Sequence, residues 1–517
     1  MAMKKYGLVA LSALLVGLSF PTVLFGWHLP NLGFLAWVGL VPLCLLTYES
    51  SPRQSFSFGF LAAFLFYLLS FYWIYKALNT FGHLPPLPSV LTLLLLAVAM
   101  GLYVGVALMA ARHFVIKQNG EMLIWLPIFW TLLEWARNYT PFGGFPWSNL
   151  AMSQTGYLPL IQIADVTGAY GIIFFIAWLN VWITEIILKW QGKEVRFFLP
   201  KTIVTVCLFA IVLGYGFFNL RQGGNRSLTA AHLNVGLIQP NIPQDEKWDE
   251  ATKAKQKKIF EDAVQSLERN ADLIIWPEAS WTELLWLEST SVPPQDIGLT
   301  VTRGKRPYTL LGLNMMSAKP SGEEYFNSAA LLDSDGNILD RYHKVHLVPF
   351  GEYIPLKNLL VFLKPVASVI GNFKAGKELK PLALENVKIG PLICYEDIFP
   401  ELSRTLVKKG AQLLINLTND AWYGVTSAPY QHLSYSVLRA VETRRALVRA
   451  TNTGVTAIVD PTGKVLQAAP LFEQAIILHQ VPLLSHQTIY TKLGDWFIWA
   501  CILFVLWQLV KIYVQRN

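Results

Sequence analysis

The feature that most restricts how this chain can fold is a series of apolar stretches of bilayer length. Hydrophobic residues make up 53% of the 517 residues, more than an ordinary soluble protein carries. A run of about 20 apolar residues can cross a bilayer as a helix, because a helix satisfies its own backbone hydrogen bonds. We therefore predict a bundle of eight transmembrane helices, seven before a globular middle region and one after it. The predicted spans are 7–25, 32–48, 56–75, 90–111, 122–136, 167–188, 203–220 and 496–514.

Two of these spans allow a second interpretation. The first follows Lys4 and Lys5, as a signal peptide would, but no small-residue cleavage pattern comes after it. Because further spans follow, we interpret this run as a helix. The fifth span ends near Glu134 and Arg137. This ionisable pair either faces the interior of the bundle or marks a helix end at the lipid headgroups.

The positive charges predict the orientation of the chain in the membrane. If the helices alternate in direction, most Lys and Arg residues next to the spans fall on one side, which the positive-inside rule assigns to the cytoplasm. Both termini are then cytoplasmic, and the middle region lies outside. These span-flanking residues account for the net charge of +8, so we predict no nucleic-acid binding. The predicted domains are a seven-helix domain at 1–228, a globular domain at 229–487 and a C-terminal helix at 488–517.

The middle region alternates strand and helix patterns, which indicates a layered α/β domain. Residues 249–269 have helical spacing, and short apolar runs bounded by turn residues predict strands. The region contains one cysteine, Cys394, and no Cys/His cluster, so neither a disulfide nor a metal site is predicted. The predicted strands are 232–239, 272–276, 309–313, 329–332, 389–393, 413–417 and 455–459.

Three of the apolar runs in the middle region end at a reactive side chain. These side chains are Glu278, Lys344 and Cys394. A carboxylate, an ammonium and a thiol can supply the general base, the oxyanion-stabilising charge and the nucleophile of an acyl transfer. Each has a simpler alternative, since the thiol could be a core residue, the carboxylate a helix cap and the ammonium a solvated charge. A Cys–His pair is a second catalytic hypothesis, with His343, His346 and His432 as candidates.

The sequence around these three residues resembles a known family. The motifs are WPE at 276–278, HLVPFGEYIP at 346–355, ICYED at 393–397 and NDAWYG at 419–424. Together with the apolar spans on either side, they closely resemble the bacterial apolipoprotein N-acyltransferases, membrane members of the nitrilase (carbon–nitrogen hydrolase) superfamily. The resemblance covers essentially the whole chain, and it implies an αββα sandwich on the periplasmic face of the inner membrane.

The resemblance also implies a reaction. Enzymes of this family take an acyl chain from a membrane phospholipid, usually phosphatidylethanolamine. They place that chain on the α-amino group of the diacylglyceryl-cysteine at a lipoprotein N-terminus, and no cofactor is implied. Glu278 matches the general base, Lys344 the oxyanion-stabilising lysine and Cys394 the nucleophile that holds the acyl group as a thioester. Supporting or substrate-binding roles are implied for Glu352, Tyr395, Glu396, Trp248 and Trp422.

The chain departs from the usual motifs of the family at a few positions outside the three reactive residues. Thr418 and Tyr423 stand where the family often has Ser and Phe. Ala151 and Met152 stand where it often has Gly and Tyr. These changes leave the lipid contacts open.

Two apolar segments beside the predicted site suggest how lipid reaches it. They are 281–287, which follows Glu278, and 359–363 together with 366–370. Such segments are either parts of the core or lids that dip into the membrane, and the membrane setting favours lids. The predicted lipid-contacting residues are Trp281, Trp286 and Phe362.

Two other functions remain as alternatives at this point. A membrane-anchored amidase acting on small amides would turn over with water, but it would give the apolar spans and loops no purpose. A transporter or sensor with a ligand-binding domain would tolerate loss of Cys394. It would also predict ionisable residues in the middle of the spans, where this sequence has few.

Overall fold

The chain divides into a helical unit and an α/β unit. In the computed structural model the helical unit comprises the residues up to 221, 426–434 and those from 493 onward, and the α/β unit comprises 222–425 and 435–492. The residues that the structure describes are 2–24, 26–118, 120–299, 307–320, 322–355 and 373–516.

The helical unit is dominated by long apolar helices. Within the described residues, five helices are long and apolar enough to cross a membrane. Their length and composition indicate a membrane protein. These five are Pro52–Phe81, Pro86–Gln118, Ala169–Trp190, Phe198–Thr229 and Trp496–Gln515.

The other three predicted spans form shorter elements. The first is a helix of 17 residues, Ala2–Leu18, and the fifth is a helix of 15 residues, Met122–Ala136. The second is divided into a 3-10 turn, Gly33–Leu35, and two helices, Ala36–Gly39 and Val41–Tyr48. Pro42 stands in the first turn of the last of these, where a proline suits a helix start and not a continuing helix. The count of eight transmembrane helices is therefore not confirmed.

The ionisable pair at the end of the fifth predicted span faces the interior of the helical unit. Arg137 and Glu134 are 1% and 8% exposed. The Arg137 guanidinium donates to the Tyr67 hydroxyl and to the Trp147 carbonyl, and the Trp130 indole donates to Glu134 at 2.9 Å. These contacts favour the interior interpretation over a helix end at the headgroups.

Among its described residues, the α/β unit contains two sheets. The strands are β1 (Val23–Leu24) and β2 (Trp27–His28) in the helical unit, and β3 (Ala231–Gln239), β4 (Leu273–Ile275), β5 (Trp281–Trp286), β6 (Tyr308–Lys319), β7 (Gly322–Leu332), β8 (Ile338–His343), β9 (Leu382–Leu384), β10 (Val387–Ile393), β11 (Leu413–Thr418), β12 (Ala446–Thr451), β13 (Ala457–Val459), β14 (Val465–Ala468) and β15 (Ala475–Leu483) in the α/β unit. One sheet has six strands in the order β14-β13-β12-β11-β10-β9, and the other has the order β15-β3-β4-β6-β7-β8, with β5 added beside β6. The central pairs β10–β11, β11–β12, β3–β4 and β4–β6 are parallel.

The two sheets face each other and carry helices on their outer sides. β12 contacts β3, and β10 contacts β7. The helix Lys253–Leu267 packs its apolar side, including Phe260 and Val264, against Ile274 of β4. The helix Pro400–Lys408 packs against β10. This is the four-layer α/β arrangement that the sequence predicted.

The remaining helices connect the strands or belong to the helical unit. The predicted helix 249–269 is a 3-10 turn, Glu250–Thr252, followed by the helix Lys253–Leu267. All seven predicted strands are present with limits that differ by a few residues or extend further, while β5, β8, β9, β12, β14 and β15 were not predicted. The shorter helices and 3-10 turns are Leu150–Gln154, Leu158–Ile161, Ala164–Thr167, Pro294–Ile297, Cys394–Ile398, Asp420–Tyr423, Ala428–Thr443 and Ile489–Leu493.

Candidate active site

The three reactive side chains predicted from the sequence follow the ends of three strands. Glu278 comes after β4, Lys344 after β8 and Cys394 after β10. Cys394 has a φ of +52° and Ala279 a φ of +46°, a left-handed conformation that non-glycine residues seldom adopt. Such strained backbone persists where the surroundings hold it, and it is frequent at functional sites.

A glycine on a neighbouring strand allows the Glu278 segment to take its position. A β-carbon on Gly312 of β6 would lie 2.0 Å from the Pro277 carbonyl oxygen and 3.0 Å from the Glu278 Cα. Any side chain there would displace the segment that carries the carboxylate. Gly312 therefore belongs to the construction of the site, although it cannot take part in chemistry.

Lys344 lies between two carboxylates. Its Nζ is 2.9 Å from Glu352 Oε2 and 3.8 Å from Glu278 Oε1. The Asn327 amide donates to Glu278 Oε1 at 2.7 Å and to Glu352 Oε1 at 3.0 Å. The structure thus brings together Glu278, Lys344 and Glu352. Asn327 was missed in the sequence, where one asparagine before an apolar run carries no motif of its own.

The charges of this cluster determine the protonation of the thiol and the ammonium. Burial raises the pKa of Cys394, and the Glu278 charge raises it further while Lys344 opposes both. Burial alone lowers the pKa of Lys344, but the charges of Glu352 and Glu278 raise it above its ordinary value. At neutral pH the site holds a neutral thiol and a charged ammonium. The thiol must lose its proton to a base before it can act as a nucleophile.

Glu396 connects the loop that carries Lys344 with the strand that carries Cys394. Its carboxylate is fully buried and accepts hydrogen bonds from the backbone N–H groups of Val345 at 2.7 Å, His346 at 3.1 Å and Ile393 at 2.8 Å. The Tyr342 hydroxyl donates to it at 2.8 Å. Burial raises the pKa of Glu396 to about 7, against these hydrogen bonds, which lower it. Both oxygens of the Glu396 carboxylate therefore accept hydrogen bonds from within the protein.

A buried ionic cluster supports the backbone at Cys394. Arg449 on β12 is fully buried, with its guanidinium 2.8 Å from Asp420 Oδ2 and 3.3 Å from Asp397 Oδ2. It also donates to Asn416 Oδ1 at 3.0 Å, and the Asn416 amide donates to the Cys394 carbonyl at 3.0 Å. Arg449 and Asn416 were not predicted from the sequence, because single polar residues within apolar runs carry no motif of their own.

The aromatic residues of the predicted site differ in their exposure. Trp248 and Trp422 are 51% and 42% exposed, so their indole rings are available at the surface of the α/β unit. Tyr395 is buried, with its ring 5.0 Å from that of Phe399 and 6.0 Å from that of His346. Its side chain is therefore part of the packing behind the nucleophile.

The segment predicted as a lid after Glu278 is the strand β5. It pairs in parallel with β6, and Trp281 packs against the hydrophobic core of the unit. Trp281 is partly buried there, whereas Trp286 is 47% exposed, and the lipid contacts predicted for both remain predictions. Phe362 and the second predicted lid lie outside the described residues.

The structure does not favour a Cys–His pair. Burial lowers the pKa of His343 and that of His346 to about 4, which makes both weak bases. His343 Nδ1 lies 2.8 Å from the Ser328 hydroxyl, and the His346 ring packs 3.9 Å from the Phe399 ring. His432 packs against Trp147 in the helical unit. The charges that act most strongly on the Cys394 thiol are those of Glu278 and Lys344.

The fold and the cluster define the class of protein. The family model described as carbon–nitrogen hydrolase matches residues 234–489, which include all three reactive side chains, so the α/β unit has the fold of the nitrilase-type hydrolases. A second model, described as the apolipoprotein N-acyltransferase N-terminal domain, matches residues 12–182.

Comparison with whole sequences gives the particular family. The chain is 37% identical over 509 residues to the apolipoprotein N-acyltransferase of Geobacter metallireducens, covering 96% of this chain and 93% of that protein. It is 30% identical to the one from Chlorobaculum tepidum, covering 95% and 93%. The chain belongs to the apolipoprotein N-acyltransferase family.

Two solved structures are similar to part of this chain at low sequence identity. Saccharomyces cerevisiae Nit3, a nitrilase-superfamily member, is 19% identical with a TM-score of 0.37 and covers 48% of this chain and 90% of its own. An amidase from Nesterenkonia is 21% identical with a TM-score of 0.33 and covers 50% of this chain and 95% of its own.

Proposed function

We propose that this enzyme transfers an acyl chain from a membrane phospholipid to the α-amino group of the N-terminal diacylglyceryl-cysteine of lipoproteins. The observation that supports this most directly is the buried Cys394 thiol at a left-handed backbone position, within the electrostatic field of the Glu278 carboxylate and the Lys344 ammonium, which lie 3.8 Å apart. These are the groups that a two-step acyl transfer through a thioester requires. Phosphatidylethanolamine is the proposed donor.

In the first half-reaction the thiol becomes acylated. Glu278 takes the proton from Cys394 while the sulfur attacks the ester carbonyl of the phospholipid. The Lys344 ammonium and the backbone N–H of Tyr395 stabilise the tetrahedral oxyanion. When the carbon–oxygen bond breaks, Glu278 returns the proton to the glycerol oxygen. Lysophospholipid leaves, and the acyl group remains on the sulfur as a thioester.

In the second half-reaction the acyl group passes to the lipoprotein. The neutral α-amine attacks the thioester carbonyl, and the same donors stabilise the second oxyanion. Glu278 takes a proton from the amine nitrogen, the carbon–sulfur bond breaks, and that proton returns to the sulfur. The products are an amide on the lipoprotein and the free thiol of Cys394.

The remaining site residues support these steps. Glu352 holds the Lys344 ammonium at 2.9 Å and accepts from the Val348 N–H at 2.8 Å, so it fixes the lysine that faces the oxyanion. We assign lipid or peptide contacts to Trp248 and Trp422, because large half-exposed aromatic rings suit amphipathic ligands.

The membrane topology that we propose is the one the positive charges predict. Eight spans place both termini in the cytoplasm and the catalytic domain, 229–487, in the periplasm, on the inner membrane of the bacterial cell. The N-terminal domain is 1–228 and the C-terminal span lies within 488–517. Five long apolar helices support a membrane location.

The test of this function is to trap the thioester by withholding the acceptor. Purified protein given phospholipid labelled in its acyl chain is expected to retain the label through denaturation and to release it to hydroxylamine. Lysophospholipid is expected in a burst of one equivalent per enzyme. Adding a diacylated lipopeptide with a free α-amine then moves the label to a triacylated product. Steady release of free fatty acid without acceptor would instead identify a hydrolase and end this proposal.

Trp286 and Trp281 give a matched test of the lipid-contact hypothesis. Trp286 is 47% exposed, so Trp286→Asp is expected to lower turnover on phospholipid vesicles while the thermal unfolding temperature hardly changes. Trp281 packs against the core, so Trp281→Asp buries an unpaired charge and is expected to lower the free energy of unfolding by several kcal/mol, roughly. Unchanged turnover of Trp286→Asp would show that this residue does not contact lipid.

A further inference from the structure

Lys247 is a second buried cation near the proposed general base, and the reaction described above does not use it. Lys247 lies in the turn 244–248, and its side chain is only 3% exposed. Its ammonium donates to the backbone carbonyl of Glu278 at 3.1 Å and lies 5.7 Å from the centre of the Trp248 ring. A lysine in such a position is costly, because burying an ammonium removes its hydration.

The contact with the Glu278 carbonyl falls on a strained part of the backbone. The next residue, Ala279, has a φ of +46°, a left-handed conformation that is unfavourable for a non-glycine residue. Two hydrogen bonds to carbonyl groups hold this turn, one from the Lys247 ammonium to Glu278 and one from the Ser280 hydroxyl to Pro277 at 2.7 Å. The direction of the Glu278 carboxylate depends on this turn.

The same ammonium also lies within the electrostatic field of the site. Burial lowers the pKa of Lys247 to about 8, while the charges of Glu278 and Cys394 raise it. A positive charge here is therefore attracted to the negative charges of the site.

We propose that Lys247 is a positioning residue for Glu278, because its ammonium holds the main-chain carbonyl of the proposed general base in the strained turn and adds a positive charge to the site. The proposal rests on the role of Glu278 in the proposed function. Trp248 directly follows Lys247, so the main chain that carries Trp248 is anchored to the Glu278 turn through this contact. A change at position 247 is therefore expected to affect the acylation of the thiol more than the binding of lipid.

The test measures the acylation step alone, with the acceptor withheld, as the rate of the lysophospholipid burst in Lys247→Met, Lys247→Arg and Lys255→Met. Lys255 is the matched control, since its side chain is 69% exposed and pairs with Glu246 at the surface. Lys247→Met is expected to slow the burst by about 10- to 100-fold, because displacing a catalytic group by about 1 Å can cost about 100-fold. The KM for phospholipid should stay within about twofold, and Lys255→Met should behave as the wild type.

The pH profile separates this role from a structural one. The wild-type burst rate is expected to fall above about pH 8 as Lys247 loses its proton, whereas Lys247→Arg keeps its rate to higher pH because guanidinium stays charged. The pKa values of Cys394, Lys344 and Tyr423 are all raised, so these neighbours do not lose protons in that range. Glu396, with a pKa of about 7, titrates on the acid side. Any change in the ionisation of the phospholipid donor affects the wild type and all variants equally.

Two results would overturn the proposal. One is a wild-type burst rate in Lys247→Met, and the other is an Arg variant whose rate falls at the same pH as the wild type. If Lys247→Met does not fold, the pH profile of the burst rate of Lys247→Arg alone tests the proposal. The burst and the hydroxylamine-sensitive label in the wild type report separately on the proposed function. A wild type without the burst and the label would contradict the thioester mechanism, whereas a negative result with the Lys247 variants would contradict only the role of Lys247.

Discussion

Cys394→Ala is expected to abolish acyl transfer completely. Without the sulfur no thioester can form, so the variant should retain no label from acyl-labelled phospholipid, release no lysophospholipid and make no triacylated lipopeptide. The loss is expected to be chemical and not structural, because alanine is small and the cysteine side chain is 8% exposed at the end of β10. The thermal unfolding temperature should therefore stay close to that of the wild type.

Cys501→Ala is the matched control for this experiment. Cys501 is also a buried free cysteine, 7% exposed, but it lies in the helical unit, so its removal should leave the burst and the transfer unchanged. Any transfer by a well-folded Cys394→Ala variant would show that the acyl group travels by another route. It would remove Cys394 from the mechanism while leaving family membership untouched.

Arg449→Met is expected to have the largest effect on stability. The guanidinium is fully buried and pairs with Asp420 and Asp397, which are also fully buried. Removing one partner of a buried ion pair typically costs about 3–5 kcal/mol of unfolding free energy, because the remaining buried charge loses its compensation. The activity is expected to fall as well, because Arg449 holds Asn416, whose amide holds the Cys394 carbonyl.

The measurement is denaturant unfolding of the purified protein in detergent, with Lys409→Met as the control. Lys409 is partly exposed and lies 3.9 Å from Glu378, a surface pair that typically contributes 1 kcal/mol or less, roughly. Adding Asp420→Asn to Arg449→Met removes one unpaired charge and should restore part of the lost stability. A loss in Arg449→Met no larger than that in Lys409→Met would contradict the role given to the cluster.

The sequence predicted the reactive residues because of where they stand relative to apolar runs. Glu278, Lys344 and Cys394 each follow such a run, and the observed strands β4, β8 and β10 end just before them. The sequence could not show that Asn327 bridges Glu278 and Glu352, or that Gly312 makes room for the Glu278 segment. Both depend on contacts between strands distant in sequence.

The predictions of strands and spans that differ from the structure have two physical causes. Strand β12 was missed because Arg449 interrupts its apolar run, and the sequence alone does not reveal the buried aspartates that make an arginine tolerable there. Among the spans, hydropathy alone did not show that 33–48 is divided into a turn and two short helices. Apolar residues can be buried in lipid or in protein, so hydropathy does not distinguish the two. The length of a helix depends instead on local backbone signals such as Pro42.

Glu396 has a consequence for how such enzymes can diverge. Strand β8, which leads to Lys344, belongs to one sheet, and β10, which leads to Cys394, belongs to the other. Substitutions in either sheet can accumulate and alter the spacing of the two layers over evolutionary time. The Glu396 carboxylate limits changes in the distance between the Lys344 ammonium and the Cys394 sulfur. It accepts hydrogen bonds from the N–H groups of Val345 and His346 on one side and of Ile393 on the other. The outer surfaces can thus change while Lys344 and Cys394 keep their relative positions.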